Sequence, residues 1–288
     1  MNTNIVITGA TGQLGRLVIA ELLAAGVPAD GITAVARSKE KAADLAGRGV
    51  KIAVADYDEP ASFADVFSAG DRVLLISGSE PGRRIPQHSV VIDAAKAAGV
   101  AQLAYTGIFG GPENAMQLGA DHRATEQLIL DSGLPHTFLR NNWYSEMAVR
   151  DLTAVVESGA IVNAATPDAR LATATREDYA AAAAAVLTAD GHLNQAYNLG
   201  GDQAWSYPEF AAEVTRQSGK PVAHQTVSTD DLLAGYVAAG IPEGFSAVLV
   251  DVDTQVNAGA LASTPGDLAR LIGRPTTPIT TTITKLLS

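Results

Sequence analysis

Through its first half the chain alternates short apolar runs, rich in β-branched residues, with stretches whose apolar positions recur at helical spacing. Strand-like runs fall at 5–7, 32–35, 51–54, 72–76, 103–105 and 136–139. Helical patterns separate them at 14–25, 39–46, 61–67, 87–98 and 122–131. Strictly alternating strands and helices predict parallel βαβ units joined by right-handed crossovers. The expected class is therefore α/β, a Rossmann-like doubly wound parallel sheet. After Trp143 the rhythm changes. Helices are expected at 144–157, 177–188, 207–218, 229–239 and 265–272, with short strands at 161–163, 196–199 and 222–226. Two helix starts carry capping-box spacing, Thr175-x-x-Asp178 and Ser206-x-x-Glu209, the second with Pro208 in its first turn. The alanine run 180–185 suits a helix lying close against a neighbour. This pattern divides the chain into a sheet domain at 1–157, with 172–200 returning to it, and a smaller, mainly helical C-terminal lobe at 201–288.

The first strand runs straight into Thr8-Gly9-Ala10-Thr11-Gly12-Gln13-Leu14-Gly15. In a strand–turn–helix setting, G-x-x-G-x-x-G assigns each glycine a task. Gly9 makes the tight turn, Gly12 lets backbone approach a pyrophosphate, and Gly15 lets the helix pack on the strand. The unpaired N–H groups and positive dipole end of that helix favour an anion. A dinucleotide is the expected ligand of residues 9–15.

Composition narrows the class further. A net charge of -11 argues against nucleic acid and anionic membrane surfaces as partners. With no cysteine, thiolate nucleophiles, disulfides and zinc–thiolate sites are excluded, and no metal is expected. The first strand begins too early for a signal peptide, and no apolar run is long enough to span a membrane, so a cytoplasmic location is expected. The oligomeric state stays open, a homo-oligomer included.

Choice between the two nicotinamide cofactors turns on the end of the second strand, where NAD enzymes place an acid for the ribose 2′-hydroxyl. Asp30 precedes that strand and so lies at the wrong end of the sheet. The strand ends Ala36-Arg37-Ser38, and Arg37 offers a planar fork to a 2′-phosphate. Lys39 and Lys41 add positive field, and NADPH is the expected cofactor. Asp56, after the third strand, is a candidate for the adenine edge. Ser77, Gly78 and Ser79 end the fourth strand and Tyr105 and Thr106 the fifth, at the carboxyl edge where such sheets bind ligands.

Carbonyl reductases on this fold use Tyr-x-x-x-Lys as proton donor, and no such pair exists here. No lysine occurs between Lys96 and Lys220. His122 and Glu126, one helical turn apart, are expected as a surface pair. Asn141, Trp143 and Tyr144 follow the sixth strand, where they would line a nicotinamide and stack on a flat acceptor.

Gly9–Gly15 with Ala36-Arg37 resembles the NmrA-like, atypical branch of the short-chain dehydrogenases. Longer strings extend the likeness along the whole chain: 74–80, Pro86-Gln87-His88, 94–100, Leu139-Arg140-Asn141-Asn142-Trp143-Tyr144-Ser145-Glu146, 174–183 and 271–276. They are similar to the branch's bacterial NADPH-dependent quinone reductases. That resemblance implies flavin-free hydride transfer from NADPH to a quinone, with Asn141, Asn142, Trp143 and Tyr144 at the reacting end. Asn142 departs from the glycine expected there, which would alter the nicotinamide pocket. The chemistry agrees independently: a quinone takes its protons readily from water, so orienting two flat rings matters more than a tuned acid. Dye-reducing members share fewer of these strings, so a triphenylmethane dye is the alternative acceptor. A regulator that senses NADP(H) without turnover is the alternative from a different class.

Overall fold

Seven strands assemble into one parallel sheet, six of them where the apolar runs of the first half predict. The computed structural model describes residues 4–80, 82–148 and 151–288. The strands are β1 (Ile5–Ile7), β2 (Ile32–Ala36), β3 (Lys51–Val54), β4 (Arg72–Leu75), β5 (Gln102–Ile108), β6 (His136–Asn141) and, from further along, β8 (Gln195–Leu199). Their order is β3-β2-β1-β4-β5-β6-β8, and every neighbouring pair is parallel. The chain reverses its direction of travel between β1 and β4. That is the switch point of a doubly wound sheet, outside whose carboxyl ends ligands bind.

Helices cover both faces. On one lie α1 (Gln13–Ala24), α6 (Arg176–Thr188) and α10 (Asp267–Ile272), sharing a core with β1 and β2. Val18, Ile19 and Leu22 of α1 are fully buried there, each contributing about 1.5–3 kcal/mol by burial. Ala180, Ala182, Ala183 and Ala184 are buried too, and their small side chains let α6 lie close along α1. On the other face α3 (Arg84–Ala98) and α4 (Gly119–Ser132) pack against Leu75, Leu103, Tyr105 and Phe138. The short α2 (Ala43–Gly47) follows β2.

A third core belongs to the lobe, built on Trp205, Tyr207 and Phe210. It is wrapped by α5 (Leu152–Ser158), α7 (Tyr207–Ser218), α9 (Glu243–Asn257) and α11 (Ile279–Leu287), with α8 (Thr229–Ala238) packed on α9. β7 (Ala160–Asn163) and β9 (Ala223–Thr226) form a separate two-stranded parallel sheet. The Ser206–Glu209 capping box forms in full, and Thr175 caps α6 by accepting from the Asp178 N–H.

Several elements differ from their sequence patterns. The stretches 39–46 and 61–67 hold only short 3₁₀ turns and α2. The helix expected over 144–157 is absent at its start. Tyr144 is extended and bridges to Ala174, a single 3₁₀ turn follows at 145–147, and α5 begins afresh where Asp151 caps the Ala154 N–H. Positions 149 and 150 of that stretch lie outside the described residues. Two helices have no counterpart in the sequence pattern. In α9, Val248, Val250, Val252 and Val256 read as strand formers, and α11 is rich in threonine and isoleucine. Tertiary burial of Val252, Val256 and Ile283 overrides those propensities.

Candidate active site

The carboxyl ends of β1, β2 and β4 open into a cleft of about 650 Å³. Its floor is the turn from β1 into α1. Gly9 sits at φ +60°, a left-handed conformation that favours glycine. A Cβ on Gly15 would stand 2.7 Å from the Ala10 Cα, so the helix could not approach the turn with any side chain at 15. Helix α1 starts at Gly12 with no side-chain cap and no acidic residue in its first turn. Its orphan N–H groups therefore remain available to an anion.

One wall comes from β2 and the segment leading into α2. Arg37 is exposed, lines the cleft and forms no ion pair among the described residues. Arg16, in the first turn of α1, lines it as well. Its Nη1 pairs with Asp44, its Nη2 donates to the Lys41 carbonyl at 2.8 Å, and its Nε donates to the Thr11 carbonyl at 3.1 Å. Sequence reasoning missed Arg16; the available signal was its place directly after the third motif glycine. Lys41 and Asp56 also line the cleft, and Asp30 lies in a turn before β2, away from it.

The opposite wall is the 76–80 loop after β4, pinned from behind by three side chains. Thr106 Oγ1 accepts the Ser77 N–H at 2.9 Å, His88 Nε2 accepts the Gly78 N–H at 3.0 Å, and Arg84 Nε donates to the Gly78 carbonyl at 2.7 Å. His88 is fully buried, and burial, with the Arg84 cation adding to it, pushes its imidazole down to about 4. It is thus neutral at working pH. Since Nε2 accepts, its proton is on Nδ1, which donates to Thr125 Oγ1 at 2.9 Å.

Of the residues singled out from sequence, Gly9, Thr11, Gly12, Arg37, Asp56, Ser77, Gly78 and Ser79 line this cleft together. Ala10, Leu14 and Gly15 are buried behind the turn, while Gln13 is exposed as the first residue of α1. Thr106 supports Ser77 rather than facing the opening. Tyr105 requires correction. β5 continues to Ile108 because its pairing with β6 runs to Asn141, so Tyr105 stands mid-strand with no exposed surface and points into the core.

Asn141, which ends β6, and the three residues after it lie apart from the cleft's lining. Asn141 is buried; its Oδ1 has no hydrogen-bond partner among the described residues. Asn142 turns into the lobe, where its Nδ2 donates to the Leu261 carbonyl at 3.2 Å. Trp143 packs on the lobe core. The Tyr144 ring lies 5.3 Å from that of Tyr179, with the Arg176 guanidinium 4.8 Å over its face.

His122 and Glu126 are not a surface pair. Both are buried and each bonds elsewhere. Glu126 accepts two hydrogen bonds from Arg140, at 3.0 and 2.8 Å, and His122 Nδ1 lies 2.7 Å from the Tyr105 hydroxyl. The pairing partners are 14 and 17 positions away, beyond any helical pattern.

A family model described as NAD(P)H-binding matches residues 9–190. The chain is 43% identical, over 99% of both chains, to quinone oxidoreductase 2 of Escherichia coli. The Escherichia coli NADPH-dependent quinone oxidoreductase complexed with NADPH superposes with a TM-score of 0.95, at 42% identity over 99% of this chain and 100% of that one. The Citrobacter sp. triphenylmethane reductase complexed with NADP(H) superposes at 0.92, with 40% identity over 98% of this chain and 100% of that one. No helix among the described residues is long and apolar enough to cross a membrane.

Proposed function

Because the chain belongs to the NAD(P)H-binding family, we propose that it is an NADPH-dependent quinone reductase that works without flavin. One observation carries the reading. The cleft pairs an uncapped helix start with an arginine that has no ion-pair partner among the described residues, and the relative sharing 43% identity over nearly the whole chain is a quinone oxidoreductase. The Gly9–Gly15 turn would hold the diphosphate, Arg37 with Arg16 and Lys41 the 2′-phosphate, and Asp56 the adenine side. Ser77, Gly78 and Ser79 would lie along the nicotinamide half, with Asn141, Asn142, Trp143 and Tyr144 around the acceptor.

Bound NADPH supplies a hydride, and the quinone completes its conversion to hydroquinone with one proton from water. The residues of the chain orient two flat rings and keep the carboxyl edge shaped for them. The segment 201–288, with the strand β7, forms the substrate side of the molecule in this reading. We read the working compartment as the cytoplasm, because the reaction consumes NADPH and needs its regeneration.

Absorbance at the reduced-nicotinamide band tests this, with 1,4-benzoquinone present or absent and NADH as the control. Quinone-dependent oxidation that favours NADPH supports the reading. Turnover of a triphenylmethane dye alone would transfer it to the dye-reducing class. Tight NADPH binding with no acceptor turned over would replace it by a cofactor sensor. Arg37→Ala should weaken NADPH by about 10- to 100-fold, the worth of a charge-assisted hydrogen bond, and leave NADH unchanged. Equal losses for both cofactors would refute the 2′-phosphate assignment.

A further inference from the structure

Three successive peptide units of the cleft wall after β4 are each held from behind by a different side chain. Thr106 of β5 accepts the Ser77 N–H at 2.9 Å, and His88 of α3 accepts the Gly78 N–H at 3.0 Å. Arg84, from the same helix, donates to the Gly78 carbonyl at 2.7 Å. A Cβ on Gly78 would stand 3.2 Å from Gln87 Oε1, so this part of the wall seats directly on the first turns of α3. Between β4 and α3 the described residues form no helix or strand, and side chains rather than a ladder fix their placement.

His88 is the tie with the fewest substitutes. A backbone N–H can only donate, so Nε2 is the unprotonated nitrogen, and the proton on Nδ1 goes to Thr125 Oγ1 at 2.9 Å. Thr125 passes its own hydrogen to the Asp121 carbonyl at 2.8 Å. His88 and Thr125 are fully buried, which leaves solvent no access to either bond. Only a neutral imidazole or an amide can accept on one side and donate on the other. Asp121 also receives the Gly82 N–H on Oδ2 at 3.0 Å, so both ends of the loop refer to the start of α4. Ser77 and Ser79 line the cleft, and their hydroxyls have no partner among the described residues. A dinucleotide whose diphosphate occupies the β1 turn crosses the switch point toward β4, where those hydroxyls stand.

We propose that His88 is a positioning residue for the cofactor: by accepting the Gly78 N–H it holds the 76–80 wall in the placement that offers the Ser77 and Ser79 hydroxyls to NADPH. The proposal rests on NADPH as the cofactor and not on the identity of the acceptor. His88 itself touches no cofactor and acts only through the wall. Without its acceptor nitrogen, the held placement competes with others in which the Gly78 N–H reaches water. Leaving a buried N–H unpaired shifts such a balance by about tenfold or more. The apparent dissociation constant then rises in proportion, because only the placed fraction of the protein binds well.

The test is calorimetric titration of the full chain with NADPH and with NADH, no quinone being present. His88→Ala should raise both dissociation constants about 10-fold, with the preference for NADPH kept and a single site per chain. A merely structural role would instead lower the number of competent sites and leave the constant of the remainder unchanged. His88→Gln supplies an acceptor to Gly78 and a donor to Thr125, and should bind within about threefold of the wild type. Thr106→Val, close in shape, removes the Ser77 tie and should weaken both cofactors alike, which covers an alanine variant that fails to fold. Amide exchange should find the Gly78 N–H protected in the cofactor-free wild type and exchanging freely in His88→Ala. Long-range ¹H–¹⁵N correlation should show the Nδ1–H tautomer. Unchanged constants in His88→Ala and Thr106→Val, a glutamine variant no tighter than the alanine one, or an Nε2–H tautomer overturns the proposal. A wild type that binds NADPH but oxidises none of it with 1,4-benzoquinone overturns the quinone reading alone. One that binds no NADPH overturns both.

Discussion

The Arg140–Glu126 pair sits in a space that two glycines leave for it, and replacing one of them should be unusually damaging. Gly111 has φ +52°, and a methyl group there would overlap Arg140 Cζ and Nε. Gly107 closes the other side, where a Cβ would stand 3.1 Å from Glu126 Oε1. For Gly111→Ala the left-handed backbone alone costs about 1–2 kcal/mol. Displacing the guanidinium from its two hydrogen bonds adds about 1–3 kcal/mol of overpacking, for a total of about 2–5 kcal/mol. The two parts separate in a double-mutant cycle. With Arg140→Ala and Glu126→Gln already in place there is no guanidinium to displace, so Gly111→Ala should cost only its backbone share, about 1–2 kcal/mol. Urea unfolding followed by circular dichroism gives each stability from the midpoint at constant m. Equal losses in the two backgrounds would show that the glycine does not make room for the arginine, and the reasoning fails.

Other consequences arise from the same region and its neighbours. His88 and His122 are held neutral, with folded values near 4 and 3 against 6.5 unfolded. Below pH 6.5 the unfolded chain therefore binds more protons than the folded one, and stability is lost as pH falls. Each histidine should cost about 2 kcal/mol at roughly pH 5 relative to pH ~8, read by urea midpoints, and a flat profile across that range would refute it. Asp178 is fully buried and bonds Arg274 Nη1 at 2.7 Å and the Thr277 N–H at 2.9 Å, pinning the C-terminal segment to α6. Asp178→Ala should destabilise by about 3 kcal/mol and open a protease site near 273–278; unchanged cleavage would count against the tether. Gly15→Ala meets backbone, which cannot yield, so it should abolish NADPH binding and lower Tm by several degrees, with wild-type affinity as the refuting result.

The lining of the cleft is legible in the sequence because its determinants are local. The glycine turn, the residue ending β2 and the loop after β4 each depend on a few consecutive positions. The features hidden from sequence depend on partners distant in the chain. Tyr105 reads as a strand end because its apolar run stops there, yet β5 extends three residues further by pairing with β6. His122 and Glu126 resemble solvent-facing polar residues, and only the packing of α4 on the sheet brings Tyr105 and Arg140 to them. Asn142 is the converse case. Its position after β6 suggests the nicotinamide pocket, whereas its side chain serves a carbonyl in the lobe. Valines in α9 mislead for yet another reason, since strand propensity is weaker than burial of one helical face.

Among the described residues the chain passes between sheet and lobe five times, near residues 143, 173, 201, 262 and 275, and the first four crossings are laced to one another through their backbones. Asn142 N–H donates to the Leu199 carbonyl, Ser145 to Ala174, Ala174 to Trp143, Gly201 to Ala172, and Ala172 to Leu261. A hinge needs one or two free torsions, whereas here any rotation of the lobe would shear several ladder bonds at once. Mechanically the lobe behaves as a fixed jaw. Traffic of acceptor and product through the molecule must then be carried by side chains and short loops, on the timescale of nanoseconds to microseconds rather than that of domain swings.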